Sequence, residues 1–173
     1  MRKDNGVMTP GADDVDRIVE SWQRERPDLD VSPLEVLSRV SRIGKRVEGF
    51  RKEAFKSSGL ESWEFDVLAA LRRAGEPFRL SPKNLLAETL VSSGAMTHRL
   101  GKLETRGFIT RSSHPEDGRG VVVTLTPQGL AAIDTAFSTL IDAEHELLRS
   151  LPHAERRSVA HSLRHLSLDV ESR

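Results

Sequence analysis

Between residues 92 and 119 the chain gathers hydroxyls, an imidazole and cations at spacings that suit a polyanion. Ser92, Ser93, Thr97, His98 and Lys102 fall within the stretch SSGAMTHRLGK, and Arg119 stands between two glycines in DGRG. At about 100° per residue on a helix, Met96, Leu100 and Leu103 lie within about 60° of one another and form an inward face. Ser93 and Thr97 lie on the other side, with Gly94 and Gly101 beside them. Small hydroxyl residues flanked by glycines let a helix come close to a DNA groove and bond bases or phosphates, and His98 and Lys102 flank that face. A Gly-flanked cation on a loop tip reaches a narrow minor groove, where the negative potential is strongest. Asp117, two residues before Arg119, can pair with it and hold the tip in shape. The expected DNA contacts are therefore Ser92, Ser93, Thr97, His98, Lys102 and Arg119, with Asp117 supporting the loop. A plain solvated helix pair with an ordinary polar hairpin is the competing reading.

These residues need a scaffold. Residues 81–88 and 92–106 read as two helices split by Leu90-Val91, with Ser81 and Ser92 as caps and Gly107 ending the second. Residues 108–111 form a short strand, PEDGRG a hairpin tip and residues 121–125 the returning strand. Residues 60–126 thus make a winged helix-turn-helix lobe. Ahead of it, residues 60–74 carry Leu60, Trp63, Val67, Leu71 and Ala74 at helical spacing, with Asp66 roughly 90° from the centre of that stripe. GEPF follows as a turn.

The flanking segments are helical too. Residues 1–10 read as a disordered tail, and residues 11–31 as an extra N-terminal helix with a connector, its Val15, Ile18, Val19 and Trp22 on one side and acids in its first turn. Pro33 opens a long amphipathic helix, and Pro127 and Pro152 open two more. The stripes on residues 32–58 and 127–173 exceed what one small lobe covers. A homodimer joined through these terminal helices is the expected partner arrangement, and its two-fold axis suits a pseudo-palindromic DNA site. The fold class is mainly α with a small β-wing.

Composition narrows the function. Net charge is zero, yet residues 79–120 carry net +3 and residues 1–31 net −3, so the positive field sits on the DNA-reading segment. The absence of cysteine excludes disulfides, thiolate metal sites and thiol redox sensing. No run is apolar enough to span a membrane, and the expectation is a cytoplasmic protein. G-x-S-x-G, a phosphate loop and H-E-x-x-H do not occur, so neither an enzyme nor a cofactor is expected. His161 and His165 have the spacing of a two-histidine metal half-site, but they lie opposite Val159 and Leu163. A solvated surface without metal is the expectation there.

The run DGRGVVVTLT, residues 117–126, resembles the D-x-R…L-T wing signature of the MarR family of transcription regulators. The preceding SSGAMTHRLGKLETRGFITR is similar to that family's recognition helix and first wing strand, and the likeness covers about residues 33–170. It implies a winged-helix homodimer with interlocked N- and C-terminal helices, and usually a repressor that leaves its operator when a small molecule binds. A urate-responsive branch of the family has a preceding helix with a Trp. Its four ligand positions would fall on Trp22, Asp66, Arg99 and Arg111.

The helical angles agree with part of this. Arg99 lies about 40° from Leu103 and about 160° from Thr97, so it turns toward the scaffold, where Asp66 is a natural counter-charge. Two guanidiniums suit a planar anion and an indole stacks on an aromatic ring. Asp66 accepts the ring N–H donors of urate or a related purine and repels a tricarboxylate such as citrate or aconitate, which stays the alternative together with a phenolic acid. A winged helix devoted to protein or RNA contact is the remaining rival.

Overall fold

The structure, a computed structural model, describes residues 11–89, 92–113 and 120–172. Among them run α1 (Asp14–Glu25), α2 (Pro33–Ser57), α3 (Ser62–Arg73), β1 (Arg79–Leu80), α4 (Pro82–Thr89), α5 (Ser93–Thr105), β2 (Ile109–Ser113), β3 (Val121–Leu125), α6 (Pro127–Leu147) and α7 (His153–Glu171). The chain divides into two compact units, residues 1–49 and 50–173, and the division falls inside α2.

In the N-terminal unit α1 starts from a reciprocal cap. The Asp13 carboxylate accepts the N–H groups of Val15 (2.7 Å) and Asp16 (3.1 Å), and the Asp16 carboxylate accepts the Asp13 N–H at 2.7 Å. Arg39 of α2 donates to Asp13 at 2.8 Å and to Asp16 at 2.6 Å, which ties the start of α1 to α2. That hydrogen bond from Arg39 draws the Asp13 carboxyl down to about 2. Val15 and Val19 are buried, whereas Trp22 is 50% exposed.

In the second unit the core joins Phe55, Leu68 and Leu71 to Leu85 of α4, Met96, Leu100 and Leu103 of α5, Val123 of β3 and Ile133 of α6. The two expected wing strands pair antiparallel, with Ile109 opposite Leu125 and Arg111 opposite Val123. A third strand was not expected: Arg79 and Leu80 pair with Thr124 and Val123, giving the order β1-β3-β2. Two residues are too few to show a period of two, and the turn before them hides the pairing.

The joint between wing and α6 is tight. Thr126 caps α6 by accepting the Gly129 N–H at 3.0 Å, and its hydroxyl donates to the Gly107 carbonyl at 2.7 Å. The Thr126 N–H reaches the Phe108 carbonyl at 3.0 Å. Gly129 packs so closely that a Cβ on it would stand 1.9 Å from the Phe108 carbonyl oxygen. At the other extreme, α7 contains no buried residue, and its Val159, Leu163, Leu168 and Val170 are exposed. Val36, Leu37, Val40 and Ile43 of α2 are exposed as well. No described helix is long and apolar enough to cross a membrane.

Candidate nucleic-acid interface and effector site

The α5 helix divides as its sequence requires. Met96, Leu100 and Leu103 are buried, and Ser93, Thr97, His98 and Lys102 are exposed. Ser92 serves as the cap, its hydroxyl accepting the Ala95 N–H at 3.4 Å, while Thr97 donates its hydroxyl proton to the Ser93 carbonyl at 3.1 Å. Both hydroxyls keep an open valence for a partner outside the chain. Gly94 and Gly101 have open space where a Cβ would stand, so nothing within the protein requires glycine at either position. Asp117 and Arg119, the wing-tip pair, lie outside the described residues.

Two contacts brace the far end of α5; Arg106, Glu64 and Glu104 were not among the expected site residues, whereas Arg111 was, as a ligand position. Arg106, just past the helix, donates to the buried Glu64 carboxylate of α3 and, at 3.0 Å, to the Gly59 carbonyl, and its guanidinium lies 4.5 Å over the Phe108 ring. Glu64 also accepts the Glu61 N–H at 2.9 Å. The E-x-x-E spacing at the start of α3 is the sequence signal for that helix-capping role. It says nothing of Arg106. The second brace is Arg111 of β2, which donates through Nε at 2.9 Å to Glu104 of α5, and through its backbone N–H at 3.2 Å to the same carboxylate. The Arg111 hydrogen bonds hold the Glu104 carboxyl below its ordinary range.

Of the four ligand positions implied by the resemblance, Asp66, Arg99 and Arg111 do not form one cluster of contacting side chains. Arg99 turns toward the body of the protein, as the helical angle requires, but its guanidinium lies 5.7 Å over the Trp63 indole of α3. Among the described residues no cation stands within ion-pair distance of the Asp66 carboxylate, which corrects the expected Asp66–Arg99 pair. Loss of water around Asp66 pushes its carboxyl up, and the charges of Arg99, Arg73 and Arg51 partly offset that push. Arg111 is committed to Glu104. Trp22 belongs to the N-terminal unit, where it lines an open groove with Arg17, Ile18 and Arg42.

Asp66 instead lines a cleft of about 310 Å³ whose floor is Phe55, Phe65, Ile133, Phe137 and Leu140 and whose rim carries Arg51, Arg72 and Arg73. Each rim cation already has a carboxylate: Arg51 pairs with Glu144 at 2.6 Å, Arg72 with Asp134 at 2.8 Å and Arg73 with Glu88 at 3.0 Å. An apolar floor under exchangeable ion pairs suits a flat, partly apolar anion. Among the described residues no group of three or more metal-ligating side chains occurs.

Comparison with known proteins identifies the family. The sequence pattern of the family described as "MarR family" matches residues 58–120. The transcriptional regulator PecS of Dickeya dadantii is 33% identical over 143 residues, covering 83% of this chain and 86% of PecS. The multiple antibiotic resistance protein MarR of Salmonella typhimurium is 33% identical over 102 residues, 58% of this chain and 69% of that protein. A cysteine-to-serine mutant of Escherichia coli MarR, solved with operator DNA, superposes with a TM-score of 0.64 at 25% identity, covering 80% of this chain and 99% of the other. Bordetella bronchiseptica BpsR, whose DNA binding is regulated by 6-hydroxynicotinic acid, superposes with a TM-score of 0.63 at 26% identity, covering 76% of this chain and 92% of the other. With its buried α5 triad, its wing and these relatives, the chain belongs to the MarR family of winged-helix, DNA-binding transcription regulators.

Proposed function

We propose that the protein is a homodimeric repressor that grips a pseudo-palindromic operator and releases it when a small planar anion, urate or a related purine, binds beside Asp66 and Arg99. The split of α5 into a buried apolar face and an exposed face of Ser93, Thr97, His98 and Lys102 carries the DNA-reading part. The exposed stripes of α2 and α7 each support the dimer, because a second copy of the chain can cover such a stripe.

For the effector, Asp66 is the discriminating group. A carboxylate without a cationic partner within ion-pair reach accepts the N–H donors of a purine and repels a tricarboxylate. Arg99 and Arg111 are held by Trp63 and Glu104, contacts that an incoming anion can exchange for its own. Both contacts brace α5, so exchanging them frees the helix to shift. The ligand drives release only to the extent that it binds the shifted state better.

A second reading has one observation in its favour. The DNA binding of BpsR is regulated by 6-hydroxynicotinic acid, a heteroaromatic acid, and the cleft lined by Phe55, Phe65 and Phe137 with Arg51, Arg72 and Arg73 offers aromatic surface and exchangeable cations to such a ligand. Mobility-shift titration of a palindromic operator with urate, xanthine, 6-hydroxynicotinate, a phenolic acid and citrate distinguishes the readings. Urate or xanthine is expected to release DNA from the wild type, and Asp66→Asn and Arg99→Ala to lose that response while still binding DNA. Trp22→Phe tests the fourth position. Unchanged release in Asp66→Asn and Arg99→Ala refutes the proposed switch.

A further inference from the structure

His161 and His165 sit one turn apart on α7, both exposed, with ring centroids 4.4 Å apart and Nε2 atoms separated by 3.1 Å. Without an ion, that separation is one N–H···N hydrogen bond between the rings. It is also a chelate bite. Two imidazole nitrogens bound at 2.0–2.1 Å to one ion stand about 2.9–3.3 Å apart as the angle at the ion opens from about 90° to about 109°. The observed separation corresponds to an angle of about 98°, between square-planar and tetrahedral.

We propose that His161 and His165 form a bidentate site on α7 for one divalent ion of the zinc, nickel or copper class. The rings are placed for it before any ion arrives, because successive turns of one helix set their spacing. Binding requires the donor ring to move its proton from Nε2 to Nδ1, so both imidazoles stay neutral and no proton is lost overall. The ring planes stand 78° apart, so the rings must also re-orient for both Nε2 lone pairs to meet at one ion.

The neighbouring charges decide which ions qualify. Arg157 lies one turn before His161, Arg164 about 60° round the helix from His161 and Asp169 one turn after His165, so the nearby side chains leave one net positive charge. Affinity must therefore come from imidazole lone pairs, which favours zinc, nickel and copper over the oxygen-seeking magnesium and calcium. By helical angle both histidines lie about 130–170° from the centre of the stripe of Val159, Leu163, Leu166 and Val170, so covering that stripe leaves the site accessible; the exposed Leu168 lies outside the stripe, on the histidines' own side. The remaining coordination positions are filled by water. Because the ion bridges two turns, it binds the folded helix more tightly than the unfolded chain, and so raises the unfolding temperature.

The test uses the full-length protein, freed of metal by EDTA and dialysis, in a non-chelating buffer at neutral pH. Calorimetric titration with zinc, nickel and copper salts is expected to give one ion per chain at this site. His161→Gln and His165→Gln should each weaken it at least tenfold, while His145→Gln leaves it unchanged. Thermal unfolding should rise with ion concentration in the wild type and His145→Gln, and should stay flat with magnesium or calcium. Binding that survives both substitutions, fewer than one ion per chain, or equal binding of magnesium overturns the proposal.

Discussion

Gly129→Ala is the sharpest test of how the recognition helix is held. In an ordinary helix the change stabilises by up to about 1 kcal/mol, because alanine loses less backbone freedom on folding. Here the new Cβ would stand 1.9 Å from the Phe108 carbonyl oxygen, and also 3.1 Å from the Phe108 Cα. Both opposing atoms are backbone, so α6 and the α5–β2 turn must separate by more than 1 Å to reach ordinary contact. Such a shift stretches the Thr126–Gly107 and Thr126–Phe108 hydrogen bonds, 2.7 Å and 3.0 Å long. Overpacking of this kind costs about 1–3 kcal/mol, and in a chain of this length that lowers the midpoint by about 3–10 °C. Gly44→Ala in α2, where a Cβ meets nothing within 4 Å, is the control and should raise the midpoint slightly. Thermal and urea unfolding measure both, and operator titration should show weaker DNA binding for Gly129→Ala alone. If Gly129→Ala is as stable as Gly44→Ala, the close approach does not exist and the account of the joint fails.

Three further perturbations follow from the same structure. Arg106→Met strands the Glu64 carboxylate, which is 3% exposed; the loss should be about 2–4 kcal/mol in urea unfolding, somewhat below a fully buried pair because Arg106 is partly solvated, and Glu64→Gln should recover part of it in that background. Gly101→Ala meets nothing within 4 Å, so the protein should gain up to about 1 kcal/mol while its operator affinity drops, separating fold from groove contact. Equal or better DNA binding would place that face away from the groove. The carboxyls of Asp66 and Asp13 should act oppositely on stability against pH. Burial raises Asp66 in the folded state, so the folded chain binds protons more readily and stability falls as pH climbs through the carboxylate range. Asp66→Asn should remove that fall and be the more stable form at neutral pH. Asp13 is lowered to about 2 by Arg39, so its contribution is complete above its ordinary value of 3.8 and lost as pH falls toward 2. Asp13→Asn should flatten only this acid limb.

Much of the fold was readable because it rests on local rules. The 3.6-residue period placed Met96, Leu100 and Leu103 inside, and serine, threonine, proline and glycine marked the helix ends at Ser92, Thr126, Pro127 and Gly107. The same angles turned Arg99 toward the scaffold. They gave its direction and not its reach, and the side chain stops over Trp63 rather than at Asp66. The Arg111–Glu104 and Arg106–Glu64 pairs depend on how the chain returns after Gly107 and on where α3 packs. Tertiary packing decides both, and no spacing in the sequence encodes them. Strand β1 escaped notice for a simpler reason, since two residues carry no pattern.

The Thr126 joint also makes α6 a lever. Leu125 ends β3 and Pro127 begins α6, so a single residue separates them and there is no slack to absorb motion. With 21 residues α6 is roughly 30 Å long, and a tilt of about 5° at its capped end swings the far end by about 2.7 Å. Read in reverse, whatever fixes the position of Leu147 fixes the attitude of α6 at Thr126, and through the Gly107 carbonyl it sets the C-terminal end of α5, the proposed reading helix. Tolerance at the reading head is thus set a helix-length away, where small errors of placement are divided down before they arrive.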